Sequence, residues 1–135
     1  MAKTVLVDSG VLVGLVRRSD QFHPWSAAQA EQLPAPWFTC EAALSEAFFL
    51  AGPVARPVLS ELLRRGHVAS TFSFAAESEV VLRLMAKYAD VPMSFADACL
   101  LRLTETLPDP LLLTTDTDFR LYRRHGRLLV PCRMP

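Results

Sequence analysis

Net charge is what this sequence most plainly lacks: its 14 lysines and arginines balance its 14 acidic residues. That balance removes any whole-molecule electrostatic case for a nucleic-acid partner. Cysteine is scarce as well. Cys40, Cys99 and Cys132 are odd in number and widely spaced, which excludes a zinc pattern and a disulfide framework and points to a reducing cytoplasm. His23, His67 and His125 share no ligand spacing and have no Cys or Ser nucleophile pattern nearby, so no catalytic role follows for them. Internal repeats, low-complexity segments and linkers are all missing. No apolar run approaches the length of a membrane span. The apolar start, Met1 to Val16, is interrupted by Asp8 and has no clean small-residue cleavage site, so a soluble chain without a signal peptide is expected.

What is present is a core. With 135 residues, 51% hydrophobic and 21% charged, the chain is expected to form one globular domain spanning 1–135. Thr4-Val5-Leu6-Val7 is a continuous β-branched run, as in a strand buried on both faces of a parallel sheet. Helices are predicted from Val11 to Arg18 and from about Asp20 to Gln32, where Pro34 and Pro36 follow. A short strand at Trp37-Phe38 leads to Thr39 as N-cap of a helix over Cys40–Ala51, stopped by Gly52-Pro53. Another helix runs from Pro57 to Arg64-Arg65-Gly66. His67–Phe72 reads as a strand, and Ala75–Ala89 and Phe95–Thr106 as helices. Leu111–Thr114 reads as a buried strand, Asp118–His125 as a helix closed by Gly126, and Leu128–Val130 as the last strand. The alternation indicates an α/β fold with a mostly parallel central sheet.

Four acidic segments stand out in this apolar frame: Val5-Leu6-Val7-Asp8, Leu44-Ser45-Glu46, Phe95-Ala96-Asp97-Ala98 and Thr114-Thr115-Asp116-Thr117-Asp118-Phe119. A buried carboxylate stays ionised only when paired, hydrogen-bonded or bound to metal. Asp8 directly follows the first strand, where ligands bind in parallel sheets, yet Asp is also a common N-cap. Glu46 sits among apolar neighbours in a helix expected to be buried almost all round. Ser94-Phe95-Ala96-Asp97 resembles a capping box. Asp116 could cap the next helix, and Asp118 could favour that helix's dipole. Taken together, convergence of Asp8, Glu46, Asp97 and Asp116 is expected, and an all-oxygen set favours Mg²⁺ or Mn²⁺ over zinc. Setting those four aside leaves 10 acidic against 14 basic residues, a remainder of +4 that would suit an anionic substrate.

These motifs resemble those of the PIN domain, and specifically the toxin subunit of bacterial VapBC toxin–antitoxin pairs. The residues carrying the resemblance are Val7-Asp8-Ser9-Gly10, Ser45-Glu46, Ser94-Phe95-Ala96-Asp97-Ala98, Thr114-Thr115-Asp116-Thr117-Asp118-Phe119 and, more weakly, Asp20-Gln21-Phe22-His23. The resemblance implies a three-layer α/β/α fold and an acidic Mg²⁺ site, with Mn²⁺ able to substitute. Asp8, Glu46, Asp97 and Asp116 match the four acidic positions, Asp118 a less consistent fifth, and Ser9 and Thr114 the supporting polar residues. One departure is Gly10-Val11, where a small polar residue often stands. The implied activity is endoribonucleolytic: metal-activated water attacks an RNA phosphodiester in line, leaving 5′-phosphate and 3′-hydroxyl ends.

The resemblance also implies a cytoplasmic protein with a cognate VapB-type antitoxin, an RNA substrate and a homodimeric state. Apolar residues near Phe48, Phe49, Val54 and Leu62-Leu63 could form a dimer face, an antitoxin groove or ordinary core. Arg17, Arg18, Arg120, Arg123, Arg124 and Arg127 could line an RNA path, though complementing helix C-termini is preferred for the two arginine pairs. Phe119 and Tyr122 read as core packing. Rival classes fit less well. An aspartyl-nucleophile phosphatase needs a second Asp where Gly10 stands, and a phosphoacceptor receiver needs a lysine near its last strand, whereas Lys3 and Lys87 are the only lysines. The remaining alternative is a non-catalytic α/β interaction module whose acids act as helix caps and ion pairs.

Overall fold

The protein is described here by a computed structural model covering residues 2–135. The main sheet has five strands, β1 (Thr4–Val7), β2 (Trp37–Thr39), β3 (Val68–Ser70), β4 (Pro110–Leu113) and β7 (Cys132–Arg133), in the order β3-β2-β1-β4-β7. Every pairing within it is parallel. The chain winds outward from β1 through β2 to β3, then returns to the other side of β1 as β4. That reversal opens a crevice at the carboxyl ends of β1 and β4, the place where open parallel sheets bind ligands.

Alternation along the strands supplies both faces with core. Leu6 and Leu112 point to one side with Leu100, Leu101, Leu103, Phe119 and Tyr122, against α4 (Phe74–Lys87) and α5 (Phe95–Thr106). Val5, Val7 and Leu113 point to the other, against α1 (Ser9–Val16), α3 (Glu41–Arg64) and the adjoining α2 (His23–Gln32). Helices on both faces of a parallel sheet make the three-layer α/β/α arrangement. Each fully buried Leu contributes about 1.5–3 kcal/mol.

Several sequence-based boundaries shift for local reasons. Thr39 does not cap α3: its hydroxyl donates to the Val7 carbonyl at 2.8 Å, and Cys40 stands at the N-cap without a side-chain bond. Gly52-Pro53 does interrupt α3 as expected, with Gly52 in a non-helical conformation at φ 77°, and a second helical segment follows directly and runs through Pro57 to Arg64, starting before the expected Pro57. Only when counted across that break is α3 long and apolar enough to match a membrane span, the one such case among the described residues. Its Ala43, Ala47, Ala51, Ala55 and Leu59 form a buried stripe at four-residue spacing, as a helix packed on a core requires.

The expected helix at Asp118–His125 is absent. A 3₁₀ turn over Thr117–Arg120 gives way to a hairpin of β5 (Arg123–Arg124) and β6 (Leu128–Leu129). His125 and Gly126 both take positive φ, 52° and 76°, the requirement of a tight type I′ hairpin turn. Leu128–Leu129 therefore belongs to the hairpin, and the last strand of the main sheet is Cys132–Arg133. The arginine pairs serve backbone ends here: Arg123 donates to the carbonyls of Arg120, Leu121 and Tyr122, and Arg124 to Thr104 at the end of α5.

Candidate active site

Each acidic residue reaches the crevice by a different route. Asp8 is the first residue after β1 and the N-cap of α1, where its Oδ1 accepts from the Ser9 amide at 2.7 Å. Thr114 follows β4 at the same level, because the register pairs Val7 with Leu113. Its hydroxyl donates to Asp8 Oδ2 at 2.8 Å and accepts from the Asp116 amide at 3.0 Å. Ser9 does the same on the opposite side, donating to Glu46 Oε2 at 2.9 Å with Asp8 Oδ1 at 3.4 Å. Two hydroxyls thus tie three carboxylate segments together: Glu46 to Asp8 through Ser9, and Asp8 to the Asp116 loop through Thr114.

Asp97 completes the group from the first turn of α5. Ser94 caps that helix by accepting from the Asp97 amide at 3.0 Å. The Asp97 carboxylate, by contrast, turns inward and accepts from the Tyr122 hydroxyl at 2.9 Å. The Asp116 charge lies near enough to act on it. A capping box would have sent that carboxylate back to the Ser94 amide, so capping does not account for it.

Burial is uneven. Asp8 and Asp97 keep only 6% and 7% of their surface exposed, while Asp116 and Asp118 are half-buried. Glu46 is exposed, contrary to the expectation of a helix buried all round. The outer face of α3 carries Phe49, Leu50, Val54 and Val58 in the open, because its buried stripe is built from alanines. Apolar composition alone had concealed that outer face. Desolvation raises the Asp8 carboxyl above its ordinary value; hydrogen bonds from Thr114 and Ser9 oppose this, and the Asp116 and Glu46 charges add to it. For Asp97, desolvation with the charges of Asp8 and Asp116 outweighs the Tyr122 hydrogen bond and pushes the value up to about 7. Tyr122 is raised in turn by burial and by Asp97.

Among the described residues no lysine, arginine or histidine forms an ion pair with Asp8, Glu46, Asp97, Asp116 or Asp118; the salt bridges lie elsewhere, at Asp109, Glu61, Glu77 and Glu105. The family model of the PIN domain matches residues 5–124. The chain belongs to the PIN domain family. PIN domains are generally nucleases, often in toxin–antitoxin systems, and usually use divalent metals. No curated protein matches the chain.

In this PIN domain the donor set is all oxygen, the chemistry of Mg²⁺ and Mn²⁺. Among the described residues no three such side chains are drawn together tightly enough to enclose an ion by themselves. Hydrogen bonds through Ser9 and Thr114 nevertheless hold Glu46, Asp8 and the Asp116 loop in one neighbourhood. The two observations are compatible. Mg²⁺ keeps several waters and takes only one or two protein carboxylates directly, so a loosely gathered set with hydroxyl spacers fits it better than a closed cage. A cleft of about 560 Å³ beside the α3 kink, lined by Val16, Arg17 and Val54 among others, contains none of these acids.

Tyr122 is the partner that sequence reasoning missed. Its packing role was legible and holds, with Phe119 and Tyr88 edge-on at 5.1 Å. Its bond to Asp97, 25 residues away, left no local signal. Gly10, the departure from the family pattern, has a steric reason: a Cβ there would fall well inside contact distance of the Thr115 hydroxyl. Gly10→Ala is expected to lower unfolding free energy by about 1 kcal/mol or more, overpacking exceeding the helix-propensity gain. Adding Thr115→Ala should recover the loss. Denaturant midpoints of the single and double variants check this, and equal midpoints for Gly10→Ala and the parent would contradict it.

Proposed function

We propose that this chain is a Mg²⁺-dependent endoribonuclease of the VapC toxin type, acting on cytoplasmic RNA and neutralised by a cognate VapB-type antitoxin. The observation that carries the reading is Asp8 at the sheet's reversal point, tied by Ser9 to Glu46 and by Thr114 to the Asp116 loop, without a basic partner among the described residues. Two unit charges about 4 Å apart repel by about 4 kcal/mol at an effective dielectric of 20. Several such pairs approach the whole stability of a typical domain, about 5–15 kcal/mol. Protonation relieves part of that repulsion at Asp97, and a divalent cation relieves it fully.

Asp8, Asp97 and Asp116 would hold the cation, with Glu46 at the exposed rim completing the site or orienting the attacking water, and Asp118 as an outlying fifth acid. Bound there, Mg²⁺ or Mn²⁺ would lower the pKa of water and neutralise charge building on the phosphate. Ser9 and Thr114 fix the Asp8 carboxylate from both sides, and Tyr122 fixes Asp97, so these ligands are oriented before any cation arrives. The capping alternative accounts for Asp8 and Asp116 but not for the inward-turned Asp97. The open apolar strip of Phe49, Leu50, Val54 and Val58 supports a protein partner, either the antitoxin or a second copy in a homodimer.

Thermal unfolding tests the metal site apart from catalysis. Mg²⁺ binding only the folded cluster should raise stability by about 2.7 kcal/mol at a hundredfold excess over Kd. A titration that leaves the melting temperature flat would contradict the proposal.

A further inference from the structure

The carboxyl edge of the sheet carries more than the acids. Extending the Leu6–Phe38 register by two residues sets Cys40 beside Asp8, and the Thr39–Ser70 pairing leads the chain after β3 into Phe72, Ser73 and Phe74 on the same edge. Between these segments and the first turn of α5 lies a cavity of about 460 Å³, lined by Cys40, Glu41, Phe72, Phe74, Phe95 and Cys99 among others. Its Cys40 wall follows β2 directly, one strand spacing, roughly 5 Å, from Asp8. Phe95 opens α5 two residues before Asp97, so the two side chains leave the helix in different directions, Asp97 inward and Phe95 toward the cavity.

Two aromatic rings stand at the cavity. Phe74 and Phe95 meet edge to face with centroids 5.1 Å apart. Packing of α4 on α5 explains that contact. It does not explain why 38% of Phe74 and 41% of Phe95 stay open to solvent at a cavity whose Cys40 wall adjoins Asp8. Glu41 is exposed at the start of α3 and forms no ion pair among the described residues. It adds one hydrogen-bond acceptor to otherwise largely apolar walls. Apolar walls with one or two polar groups at the rim are how small planar groups are bound, and single-stranded RNA is held by stacking its splayed bases on aromatic side chains.

We propose that this cavity is a nucleobase subsite. It would receive the base of a nucleotide flanking the cleaved bond, stacked on the face of Phe95 with Phe74 against its edge, and with Glu41 accepting from an exocyclic amino group. The proposal rests on the ribonuclease reading above and adds to it a binding surface and a base preference. Adenine, cytosine and guanine offer that amino donor and uracil does not, so A, C and G are preferred over U at this position.

Steady-state cleavage of single-stranded RNA tests it. Phe95→Leu keeps the apolar packing but removes the ring. It should raise KM about tenfold, the loss of a single base–aromatic stack, with kcat within about twofold, and Phe95→Tyr should restore KM. Removing the base at the flanking nucleotide should raise KM of the parent by the same factor and that of Phe95→Leu no further. Glu41→Gln should narrow the preference for A, C and G over U. A parent that cleaves RNA while Phe95→Leu and Phe74→Leu retain its KM would overturn the subsite and leave the ribonuclease reading standing. A parent that cleaves no RNA with Mg²⁺ or Mn²⁺ would overturn both.

Discussion

Asp8→Asn is expected to cut RNA cleavage by about 10²–10³-fold or more while leaving the fold intact. The loss follows from removing a charged ligand: a bound cation contributes several kcal/mol of transition-state stabilisation, and each 1.4 kcal/mol is tenfold in rate. Retention of the fold follows from the hydrogen bonds. The new amide oxygen still accepts from the Ser9 amide, and the new NH₂ can donate to the Thr114 hydroxyl, which already accepts from the Asp116 amide. Asp8 is also 6% exposed, and burial disfavours its charge. Neutralising it should therefore leave the metal-free melting temperature equal or higher and abolish the gain from Mg²⁺. Circular dichroism melts with and without Mg²⁺, beside a cleavage assay, separate these effects. Undiminished, metal-dependent cleavage by the variant would contradict the assignment.

Stability without metal should fall as pH rises from about 4 to 7, opposite to the usual behaviour of paired carboxylates. Asp97 has an ordinary value of 3.8 but about 7 in the folded protein. Between those values the folded state binds more protons than the unfolded state, so stability declines with pH through the window and levels off above it. The span corresponds to roughly 4 kcal/mol, and Asp8, raised for the same reason, acts in the same direction. Glu61, held low by Arg64 and Arg65, pulls the other way, but it lies at the exposed surface where such pairs count for little. Mg²⁺ reverses the trend, because cation and proton compete for the same oxygens and binding tightens up to about pH 7. Urea midpoints at pH 5 and pH 8, in chelator and in Mg²⁺, measure both arms. Asp97→Asn should flatten the chelator series, and an unchanged slope in that variant would contradict the role given to Asp97.

The parts of the fold legible in the sequence are those with strong local periodicity. Thr4–Val7 and Phe95–Thr106 stand where their β-branched run and capping serine put them. The acids after β1 and β4 were readable because a strand end followed by Asp is a local pattern. Glu46 was placed at the site for a reason that does not hold: its neighbours are apolar, but they face solvent, since alanines suffice to pack α3 on α1. The segment after Asp118 was unreadable for the opposite reason. Tyr122 is anchored to Asp97, Arg123 N–H to the Tyr88 hydroxyl and Arg124 to the Thr104 carbonyl, contacts 20 to 35 residues distant that override weak helix propensity. Gly10 looked like a deviation from the family pattern until the Thr115 hydroxyl was found against it.

Cleavage of end-labelled single-stranded RNA by the isolated chain, with Mg²⁺ or Mn²⁺ and with chelator, tests the central claim most directly. The expected result is cutting only with the divalent cation, lost in Asp8→Asn, with products bearing 5′-phosphate and 3′-hydroxyl ends. Cutting that persists in chelator, or products ending in 2′,3′-cyclic phosphates, would show that the converged carboxylates do not work through a metal ion.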